Sequence, residues 1–240
     1  MSLRQSPLGI FLNPAHIAER SLRTTIAFLA NRLQLAGQGL WLDVGCGSRP
    51  YHGMFKVGRF IGLDVLESGR SADLKRPDIF FDGRDFPIRD GVADGILCTQ
   101  VLEHAASAEH LLHEIARCLK PGGILILTAP FLWEEHEIPY DFLRFSSFGI
   151  KQMLEKQGFQ IAILKKTTGS FEALAQALSI AIFNHVRLPL PGFGRLLTLL
   201  VCAPIQIAGI LVQKLLPGCH GLYLDNAVLA NKPAEPDRRN

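Results

Sequence analysis

The feature that most constrains the fold is a short apolar run that ends in a glycine turn, Leu42-Asp43-Val44-Gly45-Cys46-Gly47. A run of this length followed at once by glycines is typical of a buried strand in a parallel sheet. A second run, Phe60–Leu63, leads to Asp64, which follows Asp43 by 21 positions. This is the spacing of a nucleotide site, because the glycines let the backbone approach a ligand and the carboxylate can accept hydrogen bonds from both ribose hydroxyls.

Further short apolar runs alternate with helical patterns along the chain. The runs lie at Ile79–Phe81, Gly95–Cys98, Ile124–Leu127 and 159–163. One helical pattern follows the Asn13-Pro14 cap for about 20 residues. A second passes through Leu111, Leu112, Ile115 and Leu119, and a third starts at a Ser147 cap. Strands that alternate with helices predict an α/β fold with a mostly parallel sheet.

Composition narrows the class of protein. The chain has 240 residues, of which 48% are hydrophobic and 20% charged, a composition that folds. A net charge of +3 does not indicate the strongly basic surface that binds nucleic acid, so we expect no nucleic-acid partner. The five cysteines are scattered and form no C-x-x-C pair, and no signal peptide is recognisable. We therefore expect a reducing, cytoplasmic location and no disulfide framework.

The glycine turn alone leaves the ligand open. A dinucleotide fingerprint needs a third glycine at position 50, where this chain has Pro50. A pyrophosphate-binding helix start, and with it an NAD-dependent oxidoreductase, is therefore disfavoured, and it would be revived by a nicotinamide cofactor that binds.

Several motifs occur in one order. Leu42–Gly47 and Ile61–Asp64 are followed by Asp82-Gly83-Arg84-Asp85-Phe86-Pro87-Ile88, by Asp94–Leu97 with Val101-Leu102-Glu103-His104, and by Leu119-Lys120-Pro121-Gly122-Gly123. Together they resemble the class I S-adenosylmethionine-dependent methyltransferases, and within them the small bacterial methyltransferases of type 11. The resemblance covers roughly residues 40–164 and extends to 222–232, which is similar to the family's closing antiparallel strand. Ser48-Arg49-Pro50 departs from it by replacing the usual third glycine.

The resemblance implies a set of cofactor residues for S-adenosylmethionine. Asp43 and the backbone of Gly45, Cys46 and Gly47 would hold its amino and carboxypropyl end. Asp64 would hold the ribose, Asp82 with Gly83 the adenine, and Gln100 would face the methionine or the acceptor. Asp43, Asp64 and Asp82 could instead simply cap strand ends.

The acceptor-side candidates are His104, His136, Asp141 and Arg144. Histidine is the natural base near neutral pH, and His104 and His136 come closest to the predicted site. The segment 133–145 follows the fifth strand, where an open α/β sheet places its crevice, and resembles an H-x-x-P-x-D-x-x-R segment found in some of these enzymes. A rigidifying Asp141–Arg144 ion pair is the alternative. We expect no metal site, because His104, His110 and His113 lack a cysteine partner and are expected on a solvated face.

Between residues 171 and 216 the chain is unusually apolar. Leu196–Gln213 contains 18 residues without a charge, the lower edge for a membrane span. On a helix, Thr198, Gln206, Gly209 and Gln213 fall in one narrow arc, as do Glu172, Gln176 and Ser179 on the preceding segment. Such helices are expected to bury themselves almost all round, and Pro204 is expected to kink the second. The segment 171–216 could cover the acceptor pocket, form a homodimer interface, or contact a membrane peripherally.

These observations predict an α/β, Rossmann-like, doubly wound fold with a mostly parallel sheet, an antiparallel C-terminal strand and an inserted apolar helical hairpin. The predicted boundaries are an N-terminal helix in 1–36, a Rossmann-like domain in 37–167, the insertion in 168–218, the closing strand in 219–232 and a disordered tail in 233–240. The predicted function is methyl transfer from S-adenosyl-L-methionine to a small-molecule, lipid or saccharide acceptor. The alternative is a catalytically degenerate scaffold or sensor that binds S-adenosylmethionine.

Overall fold

The computed structural model describes residues 7–33, 39–186 and 192–234. In these residues the strands are β1 Leu40–Val44, β2 Arg59–Val65, β3 Ile79–Phe81, β4 Ala93–Thr99, β5 Leu119–Pro130, β6 Gln160–Lys166 and β7 Asp225–Asn231. The α-helices are α1 His16–Arg32, α2 Ala108–Cys118, α3 Ser147–Lys156, α4 Ser170–His185, α5 Phe193–Leu197 and α6 Ala203–Leu215.

The strands form one seven-stranded sheet in the order β3-β2-β1-β4-β5-β7-β6. The pairs β1–β2, β1–β4, β2–β3 and β4–β5 are parallel, and the C-terminal strand β7 is antiparallel. The order reverses between β1 and β4, and ligands bind beside the carboxyl ends of the strands at such a reversal. The predicted Rossmann-like sheet with an antiparallel closing strand is confirmed.

The central strands are buried because their residues are apolar on both faces, as expected for parallel strands covered by helices. Leu42, Val44, Ile96 and Leu97 are completely buried. Gly95 on β4 lies against Trp41 on β1, and a Cβ at this glycine would stand 2.2 Å from the Trp41 ring. This close approach places two core strands in register.

The helix starts follow capping chemistry. Ser107 caps α2 by accepting a hydrogen bond from the backbone N–H of His110 at 3.2 Å. The cap of α3 is Ser146, whose hydroxyl accepts from the Gly149 N–H, so the prediction of Ser147 as the cap was wrong by one residue. Either serine can supply the oxygen, and only the backbone geometry decides between them.

The described residues divide into two compact units. One, the sheet unit, contains Ile26–Phe131, Glu135–Lys165 and the chain from Asn226 onward. The other, the hairpin unit, contains the residues up to Thr25, Leu132–Glu134 and Lys166–Asp225. The domain boundaries predicted from the sequence stay a prediction, and residues 235–240 of the predicted tail lie outside the described residues.

The hairpin unit is built on two long helices. The second is a continuous helical run, Phe193–Leu215, made of α5, a π-helical turn at Thr198–Cys202 and α6. Pro204 stands in the first turn of α6, directly after the π-helical turn, which accommodates its missing N–H. The helical run pairs with α4 in an antiparallel sense: Phe171 lies near Gln213, and Ser179 near Cys202.

The expectation that these helices are buried almost all round was wrong. The polar arc is what lies inside: Thr198, Gln206 and Gln213 are buried. Large apolar side chains on the opposite face, such as Leu200 at 62% exposure, face outward. The run Phe193–Leu215 is the one helix among the described residues that is long and apolar enough to cross a membrane, by length and composition.

Candidate active site

A pocket opens at the carboxyl ends of the parallel strands of the sheet unit. It holds about 530 Å³ of space, including the solvent-open mouth. Its lining residues come from the loops after the first five strands: Val44, Gly45, Gly47, Asp64, Val65, Ser68, Arg70, Lys75, Phe81, Gln100, Val101, His104 and Glu137. The predicted residues Gly45, Gly47, Asp64, Gln100 and His104 are therefore brought together.

The loop after β1 forms one wall of the pocket. Gly45 and Gly47 have φ angles of 64° and 50°, the left-handed region that favours glycine. A Cβ at Gly45 would stand 2.2 Å from Val101 Cγ2, whereas a Cβ at Gly47 would meet only Arg70 Nη1 at 3.8 Å. Gly45 is therefore required for packing, and Gly47 leaves the space beside the loop open.

Arg49 stands where the resemblance leads one to expect glycine. Its φ of 59° shows that the loop keeps the left-handed turn although the residue has a side chain. The guanidinium pairs with Asp78 and lies against Gly62, where a Cβ would stand 2.6 Å from Arg49 Nη2. The ion pair thus holds the substituted loop in the conformation that glycine adopts more easily.

Asp64 at the end of β2 is buried, and each of its carboxylate oxygens accepts one hydrogen bond from the backbone. Its two carboxylate oxygens accept hydrogen bonds from Gly47 N and Val65 N, both at 2.8 Å. Lys75 Nζ lies 3.5 Å from Asp64 Oδ1 and is 2.7 Å from the Val65 carbonyl oxygen. A carboxylate offers about four lone-pair sites, so Asp64 retains capacity for ribose hydroxyls.

Asp43 and Cys46 lie beneath this loop and do not line the pocket. Burial raises the pKa of Asp43 to about 7, with Arg49 opposing the shift and Asp64 adding to it. Burial, together with the nearby Asp43 and Asp64, raises the pKa of the Cys46 thiol to about 12. Cys46 is thus a protonated packing residue, and its backbone N–H donates to Leu63 O at 3.1 Å while its carbonyl accepts from Arg49 N at 2.8 Å.

The remaining predicted cofactor residues divide between the pocket and its edge. Gln100, with φ 55°, donates from Nε2 to Thr128 Oγ1 at 3.2 Å and lines the pocket. Asp82 is exposed and accepts from Arg84 N at 2.9 Å, closing a local turn. Gly83 lies near Val65, and neither Asp82 nor Gly83 lines the pocket. Their role toward adenine stays a prediction.

His104 lines the pocket with a ring in a fixed tautomer. Its Nδ1 lies 2.6 Å from the carbonyl oxygen of Tyr140, which can only accept, so Nδ1 carries the proton. In the neutral ring Nε2 is then the nitrogen that holds the lone pair, and it lies 3.9 Å from Glu103 Oε1 and 4.0 Å from Glu137 Oε1. The side chain is only 15% exposed, so the expectation that His104 sits on a solvated face was wrong.

His136, Asp141 and Arg144 form one connected group. Asp141 accepts two hydrogen bonds from the Arg144 guanidinium, at 2.6 and 2.7 Å, and its Oδ2 also lies 3.1 Å from His136 Nδ1. Burial alone would raise the pKa of Asp141, but the Arg144 hydrogen bonds and the His136 N–H bring it well below its usual range. The predicted Asp141–Arg144 ion pair is present, and it also orients a histidine.

The two histidines meet. The rings of His104 and His136 are T-shaped at 4.7 Å between centroids. Burial lowers the pKa of His136, and the neighbouring His104 lowers it further, so the His136 ring is neutral near pH 7. Glu103, His104 and His136 each bring one ligand-type atom within 4.8 Å of the others. The prediction of no metal site stays a prediction.

Three charged residues of the pocket were missed in the sequence: Arg70, Lys75 and Glu137. Arg70 and Glu137 form an ion pair between the loop after β2 and the loop after β5. Gly69 allows that contact, since a Cβ there would stand 2.1 Å from the Glu137 carbonyl oxygen. No local pattern marks such a pair. The only available signal was the polar density of 133–145, which pointed to neighbouring residues.

Comparison with known proteins agrees with this geometry. Residues 42–127 match the family model described as Methyltransferase domain, Methyltransf_11. The ubiquinone biosynthesis O-methyltransferase of Dechloromonas aromatica is 28% identical over 117 residues, 43% of this chain and 49% of that protein. The S-adenosyl-L-methionine-dependent Diels-Alderase iccD of Talaromyces variabilis is 30% identical over 128 residues, 46% of this chain and 42% of that protein. The chain spans between 36% and 65% of the length of the curated relatives that it matches.

The solved structures agree on the fold. Haemonchus contortus phosphoethanolamine N-methyltransferase 2 superposes with a TM-score of 0.54 at 16% identity, over 89% of this chain and 54% of that one. The matched domain of residues 42–127, the strand order of the sheet and the glycine loop facing Asp64 agree with one another. In these residues the chain is similar to the class I S-adenosyl-L-methionine-dependent methyltransferases of type 11, a family whose cofactor is S-adenosyl-L-methionine.

Proposed function

We propose that the chain is an enzyme that methylates a hydroxyl group of a small-molecule, lipid or saccharide acceptor. The observation that carries the proposal is His104, which lines the same pocket as Gly47 and Asp64 and whose buried Nε2 has no hydrogen-bond partner among the described residues. A hydroxyl acceptor must lose a proton as it is methylated, and a neutral histidine at near-attack distance can accept it. The O-methyltransferase among the relatives agrees with an oxygen acceptor.

The residues present fit the cofactor. Gly47 leaves space for a ligand because it has no side chain, and the Asp64 carboxylate retains lone pairs for two ribose hydroxyls. Gln100 and Gly45 line the same space and would face the methionine end. When bound, S-adenosyl-L-methionine supplies a methyl group on a sulfonium sulfur.

The chain's own residues then divide the work. His104 Nε2 would accept the proton of the acceptor hydroxyl, and the carboxylates of Glu103 and Glu137 near this atom would stabilise the charge that the ring gains. Tyr140 holds the tautomer through its carbonyl oxygen. His136, Asp141 and Arg144 support the ring from behind as positioning residues.

Calorimetric titration with S-adenosylmethionine, S-adenosylhomocysteine and NAD tests the cofactor assignment. We expect binding of the first two and none of NAD. Asp64→Asn should weaken binding by about tenfold or more, because hydrogen bonds to a charged group contribute about 1.5–3 kcal/mol. Asp73→Asn, an exposed carboxylate outside the pocket lining, is the matched control and should leave the affinity unchanged. Binding of NAD alone would restore the oxidoreductase hypothesis.

Release of S-adenosylhomocysteine over a panel of phenolic, saccharide and lipid-linked hydroxyl acceptors tests the reaction. His104→Gln should lower the rate by about 100-fold or more. His110→Gln removes a histidine of α2 that pairs with Asp85, and it should leave the rate unchanged. Cofactor binding without turnover on any acceptor would favour the scaffold or sensor instead.

A further inference from the structure

The hairpin, meaning α4 together with Phe193–Leu215, has its polar side chains inside and its leucines outside. The leucines that are about half exposed or more are Leu174, Leu178, Leu196, Leu199, Leu200, Leu211 and Leu215, at 46–78%. On α4, Leu174 and Leu178 are four residues apart. On the second helix the pairs Leu196–Leu200 and Leu211–Leu215 have the same spacing, with the exposed Pro204 and Ala208 between them. Each helix therefore carries an outward apolar stripe. Monomeric soluble proteins rarely expose apolar patches of this extent without a use for them.

The buried side of the hairpin carries polar side chains that are hydrogen-bonded inside the unit. Gln176 Nε2 donates to Pro14 O at 2.8 Å, and its Oε1 accepts from Ala18 N at 3.1 Å. Gln213 accepts from Phe171 N at 3.0 Å and donates to Leu216 O at 3.1 Å. These groups are satisfied without water, which is what a segment in contact with lipid requires.

Small residues make the contact between the two helices. Gly209 lies against Ala175, where a Cβ at the glycine would stand 2.3 Å from the alanine Cβ. Ser179 Oγ donates to Cys202 O at 3.4 Å across the same interface. Small residues and short polar bridges are how helices pack when lipid, and not water, surrounds them.

The charges favour an anionic surface. Residues 173–224, a stretch of 52, contain no aspartate or glutamate, whereas Arg195 and Lys214 are present and exposed. These two cations stand near the ends of the apolar run Phe193–Leu215, in which a window of 18 residues has a mean hydropathy of 2.1 and is only 39% buried. Cations at this position attract anionic headgroups, about 1 kcal/mol for each near the surface.

We propose that the hairpin docks the protein on a phospholipid bilayer that contains anionic lipid, with the leucines among the acyl chains and Arg195 and Lys214 among the headgroups. The 16 residues of α4 are fewer than the about 20 that a crossing needs, so the hairpin lies in the surface layer as an amphipathic element does. The occupant of the exposed leucine face is thus lipid. The inference is independent of the proposed methyl transfer.

Flotation of the full chain with vesicles tests the proposal, using phosphatidylcholine alone and phosphatidylcholine with 30% phosphatidylglycerol, roughly a physiological anionic fraction. We expect flotation with the anionic vesicles, at least several-fold weaker flotation with neutral ones, and a loss of at least tenfold for the double variant Leu200→Glu/Leu211→Glu. Phe148→Glu is the matched control: this side chain is 83% exposed on α3 in the sheet unit, and its substitution should leave flotation unchanged.

The folded state of each variant is checked by circular dichroism and by Trp41 fluorescence, because Trp41 is buried in the sheet unit. If the leucine pair fails to fold, Arg195→Gln/Lys214→Gln replaces it and should abolish the preference for anionic vesicles. The proposal is overturned if the wild type stays in solution with both vesicles. It is equally overturned if light scattering finds a dimer that Leu200→Glu/Leu211→Glu converts to a monomer, since a second copy would then cover the leucines.

Discussion

The sheet unit and the hairpin bury polar groups in opposite ways. In the sheet unit the buried polar residues include charged ones, such as Asp64 with Lys75 and Glu114 with Arg117, each paired beneath an apolar core. In the hairpin they are neutral amides and hydroxyls, and the leucines are turned outward. The first arrangement is that of a domain that folds in water around a ligand site, and the second is that of a segment adapted to an apolar surrounding.

The largest expected effect comes from the same change, one added methyl group, made in each of the two units. Gly95→Ala places a Cβ 2.2 Å from the Trp41 ring in the fully buried sheet core, and we expect a loss of about 3 kcal/mol in the free energy of unfolding. Gly209→Ala makes an equally close contact with Ala175, but a helix gains about 1 kcal/mol from alanine over glycine, so the loss should be smaller. Urea unfolding followed by Trp41 and Trp133 fluorescence measures both.

Gly53→Ala is the control, because nothing lies within 4 Å of the added Cβ. A larger loss for Gly209→Ala than for Gly95→Ala would mean that the hairpin is packed as rigidly as the sheet core, and the contrast between the two units would weaken.

The second effect concerns the inward polar groups. Gln206 accepts from Ile17 N at 3.2 Å and donates to Pro14 O at 3.1 Å while completely buried. Gln206→Leu should cost about 2 kcal/mol, because it leaves backbone groups buried without partners. Thermal unfolding in mild detergent measures the loss, and Gln152→Leu on an exposed part of α3 should cost under about 0.5 kcal/mol. Stabilisation by Gln206→Leu would contradict the description of the hairpin as a pair of helices with polar side chains inside and leucines outside.

Sequence patterns sufficed for the sheet and for the loop after β1, because both depend on local features. The apolar strand 40–44 followed by Gly45 and Gly47 can be recognised from the local sequence alone, and so can Asp64 at the end of the next strand. Arg49 shows the limit of a motif, since the loop keeps the glycine conformation with a different residue and a distant partner, Asp78.

What the sequence left open depends on contacts between distant residues. The ion pair of Arg70 with Glu137 joins residues 67 positions apart, and the ring contact of His104 with His136 joins two separate loops. For the hairpin, the helical pattern located the polar arc correctly. It could not say which side faces inward, because an amphipathic helix has the same periodicity in water and in lipid.

The third effect is a difference in response to acid. The Arg117 hydrogen bond lowers the pKa of Glu114 below its ordinary value of 4.5, although burial opposes it. A carboxyl with a lowered folded pKa contributes stability that is fully present above its unfolded pKa and is lost as pH falls through the folded pKa. The hairpin buries no carboxyl in the described part of α4 and Phe193–Leu215. Below about pH 4, the sheet unit should therefore lose protection while the hairpin keeps it.

Hydrogen–deuterium exchange with mass spectrometry reports the two units separately. Glu114→Gln should cost about 1 kcal/mol at pH 7, and the cost should fall as the pH drops through the lowered pKa of the native Glu114. Equal acid sensitivity of α4 and β4 amides would show that the units lose structure together.

The smallest effect is the most direct measure of what surrounds the hairpin. Leu200→Gln and Phe148→Gln each replace an outward apolar side chain, at 62% and 83% exposure, by a polar one of similar length. In aqueous buffer both should change the free energy of unfolding by less than about 0.5 kcal/mol, since an exposed side chain buries little area on folding.

With anionic vesicles present, the free energies of unfolding of the two variants should diverge. Leu200→Gln should forfeit the stabilisation that binding to the native state confers, and Phe148→Gln should retain it. If the urea midpoints with vesicles stayed equal for the two variants, the leucine face would have no more affinity for lipid than the surface of α3 has. The surfaces of both units would then face water.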